Sequence, residues 1–223
     1  MSVDKSRISK FKIVAIPTDE DGCRFFLEQY KPFRLASLQQ DPHAFGSTYA
    51  RELAFDDEAW LGRIKNPSAT TFVAVQSDDN RVAASTSLIG PLPHANPVSN
   101  PYQLVSTSTS KTMAPQGHAN NEGNPSGEPL YFQMSAVYTS PEARGQGLAK
   151  ALIKAATEEA RNRARGQGRP LILSVVVYAT NSAAISVYER CGFMRGEEEP
   201  KLVFNAFKNS SEKQLNMYFQ GTL

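Results

Sequence analysis

The stretch from Leu130 to Arg165, LYFQMSAVYTSPEARGQGLAKALIKAATEEARNRAR, restricts the fold of this chain more than any other. It starts as a strand: Tyr131, Phe132, Val137, Tyr138 and Thr139 are β-branched or aromatic residues in a short run that Ser140-Pro141 ends. It then turns helical, with Leu148, Leu152, Ala155, Ala156 and Ala160 at near-helical spacing and Lys150, Lys154, Glu158, Glu159 and Arg161 mostly facing solvent. Arg144-Gly145-Gln146-Gly147-Leu148-Ala149 joins the two. A strand feeding a glycine-rich turn that opens a helix presents unpaired backbone N–H groups and the positive end of a helix dipole, and Arg144 adds a full charge. The segment reads as an anion site, above all for phosphate.

The pentapeptide Ala-Arg-Gly-Gln-Gly occurs twice, at Ala143 to Gly147 and at Ala164 to Gly168. The second copy closes a helix: Gly166 suits a left-handed residue past the last turn, Arg165 favours the negative end of the dipole, and Pro170 blocks continuation. That copy is expected to bind no phosphate. Two nucleotide signatures compete for the first copy and neither fits. A dinucleotide fold wants a small residue where Lys150 stands and an acid at the end of the next strand, where the chain reads Leu171 to Val177 and then Tyr178-Ala179-Thr180. A P-loop wants Gly-Lys-Ser or Gly-Lys-Thr, which this stretch lacks.

The stretch resembles the GNAT superfamily of CoA-dependent N-acetyltransferases, whose signature is a strand, then Arg-Gly-x-Gly-x-Ala or -Gly, then a long helix. A second signature follows one strand later, where Asn181-Ser-Ala-Ala-Ile-Ser-Val-Tyr188-Glu-Arg-Cys-Gly192-Phe193 is similar to that family's Asn-x-x-Ala-x-x-x-Tyr-x-x-x-Gly-Phe helix. Two signatures in the right order are far more specific than either alone. A softer likeness is Asp41-Pro-His-Ala-Phe-Gly-Ser-Thr-Tyr49 with Trp60 downstream, similar to the first-helix region of many small GNAT enzymes.

The resemblance implies an α/β fold with a mixed sheet of about seven strands, splayed between the fourth and fifth and flanked by helices, in one domain over residues 11–223. It implies acetyl-CoA as cosubstrate and no metal, with a primary amine of a small molecule, peptide or protein attacking the thioester directly in a ternary complex. The N–H groups of Arg144, Gly145, Gln146, Gly147, Leu148 and Ala149 would meet the pyrophosphate. Val137 and Thr139 would offer backbone bonds to the thioester carbonyl and the pantetheine arm. Asn181 matches a position that bonds the pantetheine, and it equally suits a helix cap. Tyr188 matches the family's frequent general acid for the departing thiolate, set against plain core packing with Ala184 and Ile185. The base is where the match fails: the fourth strand offers only Gln133, Ser135 and Tyr138. Glu52, Asp56 and Asp57 are alternatives that read better as solvated helix surface, and water is another. A non-catalytic acyl-CoA-binding module is the second reading. His43, His94 and His118 carry no assignment.

At 223 residues and 40% hydrophobic content the chain holds enough apolar surface for a sizeable core. The net charge of +2 is too small to imply nucleic acid as the main partner. Cys23 and Cys191 match neither a metal nor a disulfide framework, which suits a reducing compartment. No run reaches membrane-span length and Met1 to Lys10 is polar. The expectation is a soluble cytoplasmic monomer or homodimer with no membrane partner, nuclear placement left open.

In order, Phe11 to Ile16 reads as a strand, and Phe25, Phe26, Gln29, Phe33 and Leu38 approximate one helix face that Pro32 must kink or split. Tyr49 to Ile64 reads as one helix with Leu53, Trp60, Leu61 and Ile64 inward. Thr70 to Gln76 and Arg81 to Leu88 form a hairpin. Residues 90–129 are rich in Pro, Asn, Ser, Thr and Gly, with a brief extended segment at Tyr102 to Val105, and read as an insertion: disordered, or a flap beside a site. Leu171 to Val177 is a strand buried on both faces. Phe193 to Glu197 and Val203 to Phe207 are weak strands, Gln214 to Gly221 alternates as a terminal one, and Glu197-Glu198-Glu199 is a solvated turn more readily than an amine-attracting patch.

Overall fold

The computed structural model describes residues 10–105 and 127–221. Eight strands form one sheet: β1 (Phe11–Ala15), β2 (Ala69–Gln76), β3 (Val82–Leu92), β4 (Leu130–Thr139), β5 (Leu171–Tyr178), β6 (Met194–Arg195), β7 (Lys201–Asn205) and β8 (Ser210–Gly221). The order is β1-β2-β3-β4-β5-β8-β6, with β7 also paired to β8. Every described pairing is antiparallel except β4 with β5. The count exceeds the expected seven because the two-residue β6 pairs with β8 at Met194–Tyr218 and Arg195–Met217. Among the described residues no helix is long and apolar enough to cross a membrane.

Alternation along the strands assigns the two faces. Phe72 and Ala74 of β2 join Phe132 and Met134 of β4 and Leu173 and Val175 of β5 in one core. It is covered by Leu148, Leu152, Ile153, Ala156 and Ala160 of helix α6 (Leu148–Gly166). Val73 and Val75 face the other way, against Phe26, Tyr30, Trp60 and Ile64. The α6 stripe follows from its sequence, since apolar residues at three- and four-residue steps make one inward face.

Helix α1 (Glu20–Phe25) is capped by Asp19, whose Oδ1 accepts from Gly22 N at 2.8 Å, and passes through a π turn, Phe26–Tyr30, into α2 (Lys31–Gln40) with Pro32 in its first turn. The wider turn changes which residues face inward. Phe26 and Leu38 are buried as expected, but Tyr30 and Arg34, at the same four-residue spacing, are buried with them in place of the expected Phe25, Gln29 and Phe33. The single helix expected over Tyr49 to Ile64 is two, α3 (Tyr49–Leu53) and α4 (Asp57–Ile64), because Asp56 caps the second by accepting from Ala59 N at 2.8 Å. In consequence Leu53 is exposed and Glu52 is buried instead.

Glu52 is 1% exposed and holds these helices together. Arg34 of α2 donates from Nε and Nη2 to its two oxygens at 3.1 and 2.9 Å, and Arg63 of α4 donates from Nη1 at 3.1 Å. The reading of Glu52 as solvated surface is therefore corrected. Asp57 does pair at the surface, with Lys31 at 2.7 Å.

Within the expected insertion, β3 runs on to Leu92, and Tyr102–Val105 is a helical turn, α5, not an extended segment; its residues pack on Ile89 and Leu92. Gln133 of β4 holds the main chain of this segment at Val98, its Oε1 accepting from Val98 N at 3.0 Å and its Nε2 donating to Val98 O at 2.6 Å. Residues 106–126, where the disordered or flap reading also falls, lie outside the described residues, as does His118. The second pentapeptide does close α6, but Gly166 is still helical and the left-handed residue is Gly168, at φ +61°.

Burial alone would raise the Glu52 carboxyl, but the hydrogen bonds and charge of Arg34 and the charge of Arg63 outweigh it and lower it to about 2 from 4.5. A depressed carboxylate contributes stability that is full above its unfolded value and lost as pH falls toward the folded one. Glu52→Gln is expected to cost about 3 kcal/mol at pH 7, the scale for breaking a buried pair. The gap to the parent protein should narrow below pH 4.5, as read by denaturant unfolding at a series of pH values; a gap independent of pH would refute the ionised triad.

Candidate active site

The slot between β4 and β5 arises from a change of partners. The two strands pair in parallel from Leu130–Leu171 to Met134–Val175 and then separate, β4 continuing with β3 as far as Thr139–Ala84 and β5 with β8 as far as Tyr178–Gln214. A bulge in β4 lies at this point: Ser85 and Ser87 of β3 face Tyr138 and Ser135, and Ala136 adopts φ +55°. The β4 edge from Ser135 to Thr139 has no strand partner on the β5 side. Met134, Val137, Val177, Asn181 and Tyr188 line the resulting cavity of about 120 Å³.

Directly beyond β4 the first glycine-rich copy opens α6. Gly145 and Gly147 adopt φ +74° and +78°, and a Cβ on either would meet open space, so both glycines serve a left-handed backbone and leave the loop uncovered. Helix α6 has no side-chain cap, which leaves its first-turn N–H groups, including those of Leu148 and Ala149, to an outside acceptor. Leu148 itself is buried in the core below. Thr139 ends the unpaired edge, and its Oγ1 is buried with no hydrogen-bond partner among the described residues. These features fit a diphosphate group entering along the strand edge.

The Arg144 side chain is committed elsewhere. Its Nε donates to Thr139 O at 3.1 Å and its Nη2 to Asp41 Oδ2 at 2.7 Å, and the same oxygen accepts from the Tyr138 hydroxyl at 2.6 Å. Those two partners hold Asp41 below its ordinary value, the Tyr138 bond being the larger cause, while burial and then Asp41 push the Tyr138 phenol up. Tyr138 is thus a strut, not a base. Asp41, at the end of α2, is the anchor between that helix and the glycine-rich turn, a role its place in the Asp41 to Tyr49 motif did not indicate.

Asn181 does cap α7 (Ser182–Arg190): its Oδ1 accepts from Ala184 N at 3.0 Å, and the residue also borders the slot. Tyr188 is buried, with Phe193 packed against its ring, and it borders the slot too. Its hydroxyl has no hydrogen-bond partner among the described residues, and burial, then the neighbouring Cys191, raises its pKa. Core packing and access to the slot hold together at this position.

A larger cavity of about 720 Å³ adjoins the slot, sharing Arg34, Ser135 and Ala136 with it. Among the described residues Glu52 is the one carboxylate lining either. The Glu197–Glu199 run borders a different cavity, where Glu198 pairs with Lys201 at 2.7 Å in an exposed turn. No described cluster of His, Cys, Asp and Glu could hold a metal ion.

The sequence pattern of the acetyltransferase (GNAT) family matches residues 33–193. The chain belongs to that family. No curated protein matches it. Solved GNAT structures do: NAA60 of Arabidopsis thaliana, in complex with acetyl-CoA, superimposes with a TM-score of 0.57 at 14% identity, over 94% of this chain and 98% of that one. Spermidine N-acetyltransferase of Vibrio cholerae, in complex with CoA and spermine, gives 0.52 at 15% identity, over 95% and 96%. At these identities the likeness is one of fold.

The two glycine turns of this GNAT protein allow a controlled comparison. Gly147 and Gly168 both sit at positive φ, so an alanine strains each backbone similarly, by about 1 kcal/mol. If the first turn alone cradles phosphate, Gly147→Ala should weaken acetyl-CoA binding at least tenfold in a calorimetric titration, with Gly168→Ala within twofold of the parent. Equal losses would remove the assignment.

Proposed function

We propose that the protein is an N-acetyltransferase that moves an acetyl group from acetyl-CoA to a primary amine by direct attack, with both substrates bound together. The observation that carries this is the parting of β4 from β5 directly ahead of the uncapped glycine turn, which sets an open strand edge and an anion cradle in line. Acetyl-CoA would supply the activated thioester. The acetyl-CoA in the Arabidopsis neighbour and the CoA with spermine in the Vibrio one support the choice of cosubstrate and of an amine acceptor.

The N–H groups from Gly145 to Ala149 hold the pyrophosphate, whereas the Arg144 N–H, expected to join them, donates to Pro141 O at 3.2 Å; the Arg144 side chain lends charge while Asp41 fixes its direction. Val137 and Thr139 offer the unpaired β4 edge to the pantetheine arm and the thioester carbonyl. A backbone donor aimed at that oxygen stabilises the charge developing on it, an effect worth about 3 kcal/mol when one donor is lost. Asn181 spends Oδ1 on its helix cap and has its amide nitrogen left for the pantetheine. Tyr188 keeps its proton through neutral pH because burial disfavours the phenolate, so it can hand that proton to the departing thiolate.

No described side chain takes the part of base. Glu52 accepts from two arginines and is held near pKa 2, and the slot itself has no described carboxylate. The amine therefore attacks as the free base and releases its proton to water. The same lack of a free carboxylate is what favours the second reading, a non-catalytic acyl-CoA-binding module. Free-thiol release from acetyl-CoA across a panel of primary amines separates them: turnover with any amine supports the enzyme, and tight acetyl-CoA binding with no turnover across the panel supports the module.

Tyr188→Phe keeps the ring and its packing on Phe193 while removing the hydroxyl. Acetyl-CoA affinity should hold within twofold and the turnover number should fall by about 10²-fold, the lower end for general acid catalysis, since a thiolate is a fair leaving group. Single-turnover kinetics would reveal this, and an unchanged chemical step would confine Tyr188 to packing.

A further inference from the structure

The cavity beside the slot is lined by Arg34, Arg51, Arg63 and Glu52, three cations against one anion among its described walls. Glu52 neutralises no more than part of this set, because both its oxygens are taken by Arg34 and one is shared with Arg63. Arg51 stands apart. Its Nη1 donates to Ser47 Oγ at 3.0 Å, and its guanidinium lies 4.1 Å from the centre of the Phe207 ring and 5.2 Å from that of Phe55. No carboxylate pairs with it among the described residues. Partial burial and then the charge of Arg63 lower its pKa, so the cation is held at a cost that an incoming anion would offset.

A planar guanidinium clamped by rings, with free N–H edges in a cavity of small-molecule size, is built to take an oxyanion in a fixed direction. We propose that the acceptor of this enzyme is a small amine that also carries an oxyanion, a carboxylate or phosphate, which Arg51 binds and thereby aims the amine at Ser135 and Ala136 of the slot. A polyamine, by contrast, would bring like charge to three arginines. The inference rests on the acetyltransferase reading and names the substrate class for it.

The test uses the full chain and pairs of acceptors that differ in the anion alone: each common amino acid against its carboxamide, and 2-aminoethyl phosphate against ethanolamine, with spermidine as the cationic control. Free-thiol release gives kcat/KM for each, and thermal-shift titration of the same compounds without acetyl-CoA gives binding independently of turnover. At least one anionic member should exceed its neutral partner tenfold in kcat/KM and raise the melting temperature where the partner does not. The acid and phosphate pairs decide which oxyanion is taken. In Arg51→Gln the ratio should fall to within about threefold, and Arg51→Lys, which keeps charge without the fork, should retain part of it. Neutral or cationic acceptors equal to or better than the anionic ones would overturn the proposal and leave the acetyltransferase reading standing. Absence of any anion-dependent shift in melting together with no turnover would also overturn it. A shift that persists unchanged in Arg51→Gln would refute the role of this residue. Anion-dependent binding with no thiol release from any amine would instead count against the acetyltransferase reading alone.

Discussion

The separation of β4 from β5 after the Met134–Val175 pair is the constraint on which the rest depends. Two parallel strands with full ladders on both sides would satisfy every backbone group and leave no room between them. Here each strand keeps its outer partner, β3 or β8, while the inner edges diverge, so the sheet stays continuous and a polar backbone edge is still exposed inside it. The β4 bulge at Ala136 supplies the bend. Helix α6 packs across β2, β3, β4 and β5, with Leu152, Ala156 and Ala160 in their common core.

The second organising interaction is the buried Arg34–Glu52–Arg63 group. Such a group contributes little net stability against well-packed apolar residues, because desolvation offsets most of the Coulomb attraction. Its value here is positional. It ties α2, α3 and α4 at one point and makes the wall of the cavity next to the slot charged and rigid. The same helices position Asp41, at the end of α2, so that it braces Arg144 and Tyr138 beside the glycine turn. One helical layer thus orients both ends of the proposed reaction path.

Most of the sheet, and the strand, turn and helix on the proposed donor side, were legible in the sequence, because they rest on local chemistry. The strand, glycine turn and amphipathic helix of Leu130 to Arg165 need only their own residues to declare themselves, and Asn181 caps its helix as its type and place suggest. The acceptor side was not legible for a physical reason. The π turn at Phe26–Tyr30 shifts the inward face by a residue, so a strict 3.6 periodicity selects Phe25, Gln29 and Phe33 and hides Arg34 among polar positions. Reading the four-residue spacing of Phe26, Tyr30, Arg34 and Leu38 instead would have placed a cation on a buried stripe, which demands a carboxylate partner. Asp56 likewise divides a helix that apolar spacing alone would continue, and the division turns Glu52 inward.

The cationic cavity also bears on the absence of a base. A primary amine is ordinarily protonated near neutral pH, and a carboxylate beside it would stabilise the ammonium still further. Positive surroundings do the reverse and favour the free amine, which is the form that attacks. With Arg34, Arg51 and Arg63 against Glu52, and the single negative charge of an acceptor carboxylate, the described walls and ligand together still sum to a net positive charge. An acceptor held by its carboxylate would therefore stay in an environment that disfavours its own ammonium. The arginines proposed to select the acceptor would then also favour its free amine, which would account for a fourth strand without the carboxylate that some members of the family place there.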